Sequence, residues 1–266
     1  MKKGINRAIK TAVLVLVFTV LSAVTPVLSG TSQVFAAAGT SPYTIKWGDT
    51  LYSISRQTGT TVAVLKSMNK LSSDVIYAGQ TLTVPVTGSG ALKDILTARG
   101  VNPVNAKFSI LVDKSDHSLV VYADGIPLRS YHVELGEGGS GPKQVNGDHK
   151  TPEGTFYICQ KSVLSPADPY LGTRWMRLSY PNTGDAARGL RQGMISQQVY
   201  NAIVSANNQG TIPPQNTALG GGVGIHGGST AALGSDWTWG CVGLTNRDVE
   251  DFYNYMAIGT KVIIQV

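Results

Sequence analysis

Residues 236–244 have the sequence Asp-Trp-Thr-Trp-Gly-Cys-Val-Gly-Leu, and residues 224–228 have the sequence Gly-Ile-His-Gly-Gly. These two stretches decide the fold and the chemistry that we expect of this chain. Cys241 follows His226 across a glycine-rich segment that can return the chain to the histidine. A cysteine nucleophile reacts as a thiolate and needs a base beside it. The pair therefore predicts acyl transfer, in which the imidazole takes the thiol proton and later protonates the departing amine.

The residues around Cys241 are candidates for the rest of the active site. The backbone N–H groups of Trp239, Gly240 and Cys241 are predicted to form an oxyanion hole, because glycine permits a close approach. Trp239 is also expected to form a wall of the cleft, and His149 is a candidate for its edge. Asn246 is expected to cap the helix that follows it. A buried cysteine beside a structural histidine is the alternative interpretation.

The sequence from residue 107 onward has the pattern of an antiparallel β domain. Short apolar runs recur along it, and they lie at 108–112, 119–122, 129–135 and 261–266. A turn at Asp124-Gly125 predicts that neighbouring runs pair as a meander. Two helices are predicted at 199–206 and 249–256, where apolar residues share one helical face. Cys159 lies in a strand-like run and is expected to be a small buried residue.

Three separated motifs resemble the L,D-transpeptidase catalytic domain of the YkuD type. They occur in the family's order, at 147–156 (Gly-Asp-His-Lys-Thr-Pro-Glu-Gly-Thr-Phe), at 225–227 and at 240–248. The resemblance covers 107–266. It implies a mainly antiparallel β domain with a few helices, an L,D-transpeptidase-like β-sandwich. It also implies that no metal or organic cofactor is needed, and the sequence contains no His/Asp cluster with metal-ligand spacing.

The resemblance implies a role for each matching residue. Cys241 would attack the carbonyl of the third residue of a peptidoglycan stem tetrapeptide and expel the terminal D-Ala. His226 would be the general base, and the main-chain carbonyl of Gly227 would orient the imidazole. The side-chain amine of a neighbouring stem would then take the acyl group and complete a 3→3 cross-link, whereas water as acceptor would make a carboxypeptidase. The resemblance further suggests that carbapenems acylate Cys241.

Two positions depart from the family's pattern. Trp239 stands where a histidine is usual, two residues before the cysteine, and Gly243 stands where an arginine is usual, two residues after it. An indole N–H donates a hydrogen bond but cannot titrate, and the loss of arginine removes a fixed cation. This chain resembles a subset of the family that has Asp-Trp-Thr-x-Gly-Cys, and some members of that subset resemble hydrolases of wall attachments rather than cross-linkers. A hydrolase of stem peptides or wall-linked protein, and a non-catalytic wall-binding protein, therefore stay open as alternatives.

A second unit is predicted at 42–86, where Gly, Ser, Pro and Thr-rich stretches bound a compact segment. Its strand at 43–45, two helices and closing strand at 81–84 give the order β-α-α-β. The candidate capping residues are Asp49 or Thr50 for the first helix and Thr60 or Thr61 for the second. The apolar face of the second helix is predicted to consist of Val62, Leu65 and Met68.

This unit resembles a LysM module, on Tyr43-Thr44-Ile45-Lys46-Trp47-Gly48-Asp49-Thr50-Leu51, Ile54, Leu65, Asn69, Ile76, Gly79-Gln80 and Leu82. The resemblance implies a small α+β fold that binds N-acetylglucosamine-containing glycans, such as peptidoglycan strands. In that family the glycan lies between the loop after the first strand and the loop before the second. The glycan-binding candidates in these loops are Gly48, Asp49, Thr50, Leu51, Ile76 and Tyr77. Residues 87–106 are predicted to be a linker, with a flexible hinge at 87–90 and helical character at 91–99.

The first 38 residues have the pattern of a secretory signal peptide. A basic head precedes an apolar stretch from Thr11 to Leu28, and cleavage is expected within Ala36–Ala38. The alternative is an uncleaved membrane anchor. Both predict that the chain from residue 39 onward lies outside the cytoplasm, associated with the cell wall.

The charge and the cysteine count exclude two other classes. The chain carries 22 basic and 16 acidic residues, and four of the basic ones lie in the leader, which leaves 18 against 16. A net charge of +2 without a basic run gives no nucleic-acid groove. Two cysteines, Cys159 and Cys241, do not make a disulfide framework in an exported protein, although the two could pair.

Overall fold

The computed structural model of the chain describes residues 40–58, 60, 62–85, 90–230 and 236–266. The predicted signal peptide and the alternative membrane anchor lie outside these residues. Within the described ranges, no helix combines the length and the apolar character needed to cross a membrane.

The described elements alternate between strands and short helices. In chain order they are β1 (Thr40–Thr44), α1 (Leu51–Thr58), α2 (Val62–Asn69), β2 (Thr81–Pro85), α3 (Leu92–Ala98), β3 (Phe108–Asp113), β4 (Ser118–Ala123), β5 (Ile126–His132), β6 (Leu135–Gly136), β7 (Gly154–Asp168), β8 (Gly172–Leu178), α4 (Thr183–Arg191), α5 (Gln197–Gln209), β9 (Gly224–His226), β10 (Asp236–Thr238), β11 (Val242–Gly243), α6 (Asn246–Tyr253) and β12 (Lys261–Gln265). The predicted helices near 199–206 and 249–256 correspond to α5 and α6. The helix α4 was not predicted.

The large sheet of the C-terminal domain has the strand order β11-β9-β8-β7-β12-β3-β4-β5 within the described residues. Its neighbours pair antiparallel except for β11 with β9 and β12 with β3, which are parallel. The predicted meander is present as β3, β4 and β5, with the turn at Asp124-Gly125 between the last two. The expected fold class, a βααβ module followed by a mainly antiparallel β domain with a few helices, is confirmed.

The core of the C-terminal domain lies between this sheet and two helices, α3 and α6. Leu92, Ile95 and Leu96 of α3 are buried in the same cluster as Val249 and Phe252 of α6. Burial of such side chains contributes roughly 1.5–3 kcal/mol each. The helix α3 lies within the predicted linker, and it packs as part of the domain.

The N-terminal module forms the predicted βααβ unit. The strands β1 and β2 pair antiparallel, with Tyr43 opposite Leu82. Ile54, Leu65 and Leu82 are buried in its core. The hydroxyl of Thr50 accepts the N–H of Ser53, so Thr50 caps α1, as one of the two predicted candidates.

The helix α2 of the N-terminal module packs against the sheet of the C-terminal domain. Val64 is buried against Val120 and Tyr122 of β4, and Met68 packs against the same cluster. Met68 was predicted to share the apolar face of this helix with Val62 and Leu65, but it packs against a sheet from the other domain, whereas Val62 and Leu65 pack in the module's core. Leu65, three residues earlier, does point into the module's core.

The cap of α2 also comes from the other domain. The carboxylate of Asp116, in the turn between β3 and β4, accepts the N–H of Val62 at 2.6 Å. Of the two predicted caps, Thr61 lies outside the described residues, and the buried hydroxyl of Thr60 has no hydrogen-bond partner among the described residues. A carboxylate at a helix N-terminus satisfies unpaired N–H groups and interacts favourably with the helix dipole.

Candidate active site

The sheet brings the two predicted catalytic residues to neighbouring strands. His226 is the last residue of β9, and Cys241 directly precedes β11. In the parallel pairing of these strands Val242 lies opposite Ile225 and Gly243 lies opposite His226. One residue back in this register, Cys241 lies beside Gly224. Because side chains two residues apart on a strand point to the same face, Cys241 and His226 share a face of the sheet.

His226 is held in one tautomer. Its Nδ1 lies 2.7 Å from the carbonyl oxygen of Gly227, and a carbonyl only accepts, so the proton is on Nδ1. The Nε2 atom is buried and has no hydrogen-bond partner among the described residues. Burial lowers the pKa of His226 to about 4, although Gly227 and Asp168 act in the opposite direction. The imidazole is therefore neutral at pH 7 and has a free lone pair for a proton.

The thiol of Cys241 is buried against the glycine-rich segment that precedes β9. Its Sγ lies 3.6 Å from the carbonyl oxygen of Gly222. Burial raises the pKa of Cys241 to about 11, while the N–H of Gly224 and the charges of Arg177 and Lys143 favour the thiolate. The resting residue is a protonated thiol, so the proton must leave as the substrate arrives.

The three backbone amides predicted to form an oxyanion hole have different partners. The N–H of Trp239 donates to the hydroxyl oxygen of Tyr170 at 2.7 Å, and the N–H of Gly240 donates to Thr238 Oγ1 at 3.2 Å. Within the described part of the chain, only the N–H of Cys241 lacks a partner among the three. Its own carbonyl accepts from Thr238 Oγ1 at 2.8 Å, which fixes the orientation of this peptide. Cys241 N–H is therefore the donor available to a developing oxyanion.

Tyr170 is a site residue that the sequence analysis missed. It lies in the turn between β7 and β8, and its ring packs on His226, Trp237 and Trp239 at centroid distances of 5.5, 5.1 and 5.3 Å. Its turn is held by Asp168, whose Oδ1 accepts the N–H of Tyr170. No short motif surrounds Tyr170. It reaches His226 from the turn of the β7–β8 hairpin, whose strand β8 pairs with β9.

Trp239 lies at the surface beside Cys241, and its role as a cleft wall stays a prediction. Its side chain is 65% exposed, and its ring stacks on His149 at a centroid distance of 5.8 Å. His149 therefore lies beside Trp239, and its place at the edge of a substrate cleft stays a prediction.

The environment of Gly243 explains the absence of a side chain there. A Cβ at this position would lie 3.1 Å from Thr238 Cγ2 and 3.2 Å from the Trp237 ring. The indole N–H of Trp237 donates to the buried carboxylate of Glu134. The Trp237–Glu134 pair thus fills the space beside Gly243.

Asn246 does not cap α6, contrary to the prediction. The cap is Thr245, whose Oγ1 accepts the N–H of Asp248. The Oδ1 of Asn246 instead accepts from the N–H of Gly228 at 3.1 Å and of Thr173 at 3.0 Å. Asn246 thereby links the start of α6 to Gly228, two residues after His226, and to Thr173 in β8.

The family of L,D-transpeptidase catalytic domains called YkuD matches residues 107–264, more than half of the chain. The chain belongs to the YkuD family. The LysM domain family matches residues 43–85, which form the N-terminal module.

Several known proteins are similar to parts of the chain. The cell wall-binding protein YocH of Bacillus subtilis (strain 168) is 62% identical over 45 residues, 17% of this chain and 16% of that protein. The helical cell shape determining protein Pgp2 of Campylobacter jejuni has a solved structure that is 24% identical with a TM-score of 0.40, covering 60% of this chain and 47% of that one. An L,D-transpeptidase from Mycobacterium smegmatis is 18% identical with a TM-score of 0.36, covering 60% and 59%. The chain spans 16–24% of the length of the first curated relatives that it matches.

The predicted glycan-binding residues of the LysM module lie on two adjacent loops. The N–H of Gly79 donates to the carbonyl of Ile45, which joins the loops at their base. Gly48, Thr50 and Tyr77 are exposed, with Tyr77 at 71%. Leu51 and Ile76 pack on the module's core, and Asp49 accepts from Tyr43 Oη and Lys46 N. Trp47, 94% exposed beside Gly48, was not predicted as a site residue.

The two cysteines are unpaired, and both are buried. Cys159 lies in β7 and is buried, as predicted. Burial raises its pKa to about 11. Among the residues that the structure describes, no three His, Cys, Asp or Glu side chains lie together as a metal site would require.

Proposed function

We propose that this protein is a peptidoglycan L,D-transpeptidase, in which Cys241 is the nucleophile and His226 is its general base. The observation that carries the proposal is the state of His226. Its Nδ1–H is bound to the Gly227 carbonyl, which leaves the Nε2 lone pair free, and its strand β9 pairs with β11, which begins directly after Cys241.

The proposed reaction has two halves. As the stem tetrapeptide enters, its carbonyl at the third residue meets the thiol, whose proton goes to His226 Nε2. The N–H of Cys241 stabilises the oxyanion, the imidazolium protonates the departing D-Ala, and a thioester remains. The side-chain amine of a second stem then attacks the thioester and forms the 3→3 cross-link.

The LysM module supports a substrate in the cell wall. Exposed aromatic rings at Trp47 and Tyr77, beside the predicted glycan loops, offer apolar faces on which sugar rings can stack. YocH, similar to this chain over 45 residues, is a cell wall-binding protein. Binding through the module raises the local concentration of stem peptides, because engagement of the catalytic domain becomes intramolecular. We accordingly place the protein outside the cytoplasm, associated with the wall.

A hydrolase that uses the same pair is the second candidate. Trp239 and Gly243 favour it, because the cleft beside Cys241 lacks the histidine and the arginine that the family's pattern usually has there. Water would then take the acyl group and release a tripeptide or a wall-linked protein.

The decisive experiment incubates the purified protein with disaccharide-tetrapeptide and follows the products by mass spectrometry. We expect a dimer that lacks one D-Ala, absent with Cys241→Ala and His226→Gln and retained with Cys159→Ala, the matched cysteine control. Free tripeptide without dimer would favour the hydrolase. No product with the wild-type protein would overturn both activities. Incubation with a carbapenem tests acylation separately, as a mass increase that Cys241→Ala abolishes.

A further inference from the structure

His149 and Glu137 form an exposed pair beside Trp239. The Nδ1 of His149 lies 2.6 Å from Glu137 Oε1. The two side chains are 39% and 47% exposed, so a molecule in solution can reach both. His149 also has a φ of 50°, a conformation that is uncommon for a residue other than glycine and that fixes its direction within a tight loop.

The backbone places this pair directly beside the nucleophile. A Cβ on Gly240 would lie 2.7 Å from the carbonyl oxygen of Lys150, and a Cβ on Gly136 would lie 2.9 Å from Gly240 Cα. Glu137 follows Gly136 in the chain, and His149 precedes Lys150. Both members of the pair are therefore next to residues that pack on Gly240. Gly240 is the residue before Cys241.

The hydrogen bond between the two side chains defines what His149 can do. A carboxylate only accepts, so the proton of the neutral imidazole is on Nδ1 and the lone pair is on Nε2. The carboxylate of Glu137 attracts a cation, and so does the aromatic ring of Trp239, which is 65% exposed beside His149. A base beside an anion and an aromatic face suits an ammonium group that must lose a proton before it reacts.

His226 is in a different environment. It is fully buried under Tyr170, Trp175 and Trp237, where an ammonium group on a second stem would have to give up its hydration. The structure thus offers one buried base, His226, and one exposed base, His149.

We propose that Glu137, His149 and Trp239 form the binding site for the acceptor amine, with His149 as its base. The proposal rests on the transpeptidase function proposed above. Glu137 and Trp239 hold the ammonium, and its proton passes to His149 Nε2 and then to solvent. The free amine attacks the thioester carbon, a C–N bond forms as the C–S bond breaks, and a second amine proton goes through His226 to the thiolate of Cys241.

The test uses the full chain with a tetrapeptide donor and an acceptor stem of varied concentration, and it measures dimer and tripeptide together. We expect His149→Gln to lower the ratio of dimer to tripeptide by roughly 100-fold, the lower range for a positioned general base. Glu137→Gln should lower it about tenfold and raise the KM for the acceptor. A structural defect would lower the yields of dimer and tripeptide in parallel. If His149→Gln folds poorly, Glu137→Gln still tests the site, because it keeps His149.

His132→Gln, an exposed histidine on β5, is the matched control and should keep the wild-type ratio. An acceptor with an acetylated amine should give tripeptide only. If the wild-type protein forms dimers and both variants keep its ratio, the acceptor site is wrong while the transpeptidase function stands. If the wild-type protein forms tripeptide only, the transpeptidase function fails and the acceptor site fails with it.

Discussion

The hydroxyl oxygen of Tyr170 accepts the backbone N–H of Trp239 at 2.7 Å. This bond joins the turn of the β7–β8 hairpin to the segment that carries Cys241. The Tyr170 ring covers His226, and burial raises the pKa of its hydroxyl to about 12, so it stays protonated at neutral pH. Both reactive residues are buried, and we expect this hairpin tip to move before a substrate reaches the thiol.

We predict that Tyr170→Phe exposes Cys241 more often. The substitution removes a hydrogen bond worth about 1 kcal/mol, which corresponds to a roughly fivefold change in population. Alkylation of Cys241 by iodoacetamide, measured by mass spectrometry in a Cys159→Ala background, should accelerate by about that factor. Tyr200→Phe, in the cluster between α4 and α5, is the control. Equal rates in Tyr170→Phe and the parent would contradict this role.

The state of the catalytic pair predicts the pH dependence of alkylation. Burial raises the Cys241 pKa to about 11, so the thiolate fraction falls about tenfold for each pH unit below that value. The alkylation rate should therefore rise steadily between pH 7 and 10. Because His226 is neutral above about pH 4, His226→Gln should leave this slope unchanged. A rate that is already flat above pH 6 would instead indicate a thiolate–imidazolium pair.

The lowered pKa of His226 also predicts how stability varies with pH. The folded pKa is about 4 and the unfolded value is about 6.5. Between these values the unfolded chain binds more protons, so the free energy of unfolding falls as the pH drops through this window. The loss attributable to His226 should reach up to about 3 kcal/mol. Denaturant unfolding at pH 7 and pH 4.5 should show a smaller decrease for His226→Gln than for the wild-type protein.

Much of this molecule could be predicted from its sequence because its signals are local. The apolar runs that form β3 and β4, the helices α5 and α6, and the βααβ order of the LysM module follow from periodicity and turn residues. Cys241 and His226 are recognisable because glycines surround both. The Gly227 carbonyl, implied by the resemblance, lies where it can orient the imidazole.

The remaining site residues depend on contacts between distant parts of the chain. Tyr170 reaches Trp239 across 69 positions, and Glu134 reaches Trp237 across 103. Asn246 was expected to cap a helix because Asn favours that position, but Thr245 took the role and freed Asn246 to bind Gly228. Thr245 and Asn246 are adjacent and both favour the N-cap position. Sequence spacing does not indicate which of the two caps the helix and which binds the rest of the domain.

The contact between Asp116 and α2 predicts coupling between the LysM module and the catalytic domain. Asp116→Ala removes the carboxylate that accepts from Val62 N, a charge-assisted bond worth about 1.5–3 kcal/mol. Hydrogen exchange of the Val62 amide should accelerate accordingly, and α2 should lose protection ahead of β4. Asp94→Ala, an exposed acidic residue in α3, should leave α2 unchanged. Unchanged exchange in Asp116→Ala would mean that packing of Val64 alone holds the module.

The packing around Gly243 predicts the result of restoring the family's arginine. Gly243→Arg places a Cβ against Trp237 and Thr238, and overpacking of this kind costs about 1–3 kcal/mol. In a Trp237→Ala background the same substitution gains space, and the guanidinium can pair with the Glu134 carboxylate that Trp237 vacates. The cost of Gly243→Arg should therefore be smaller in that background by about 1 kcal/mol, measured as a double-mutant cycle on the free energy of unfolding. Additive costs would show that Trp237 does not determine which residue stands at position 243.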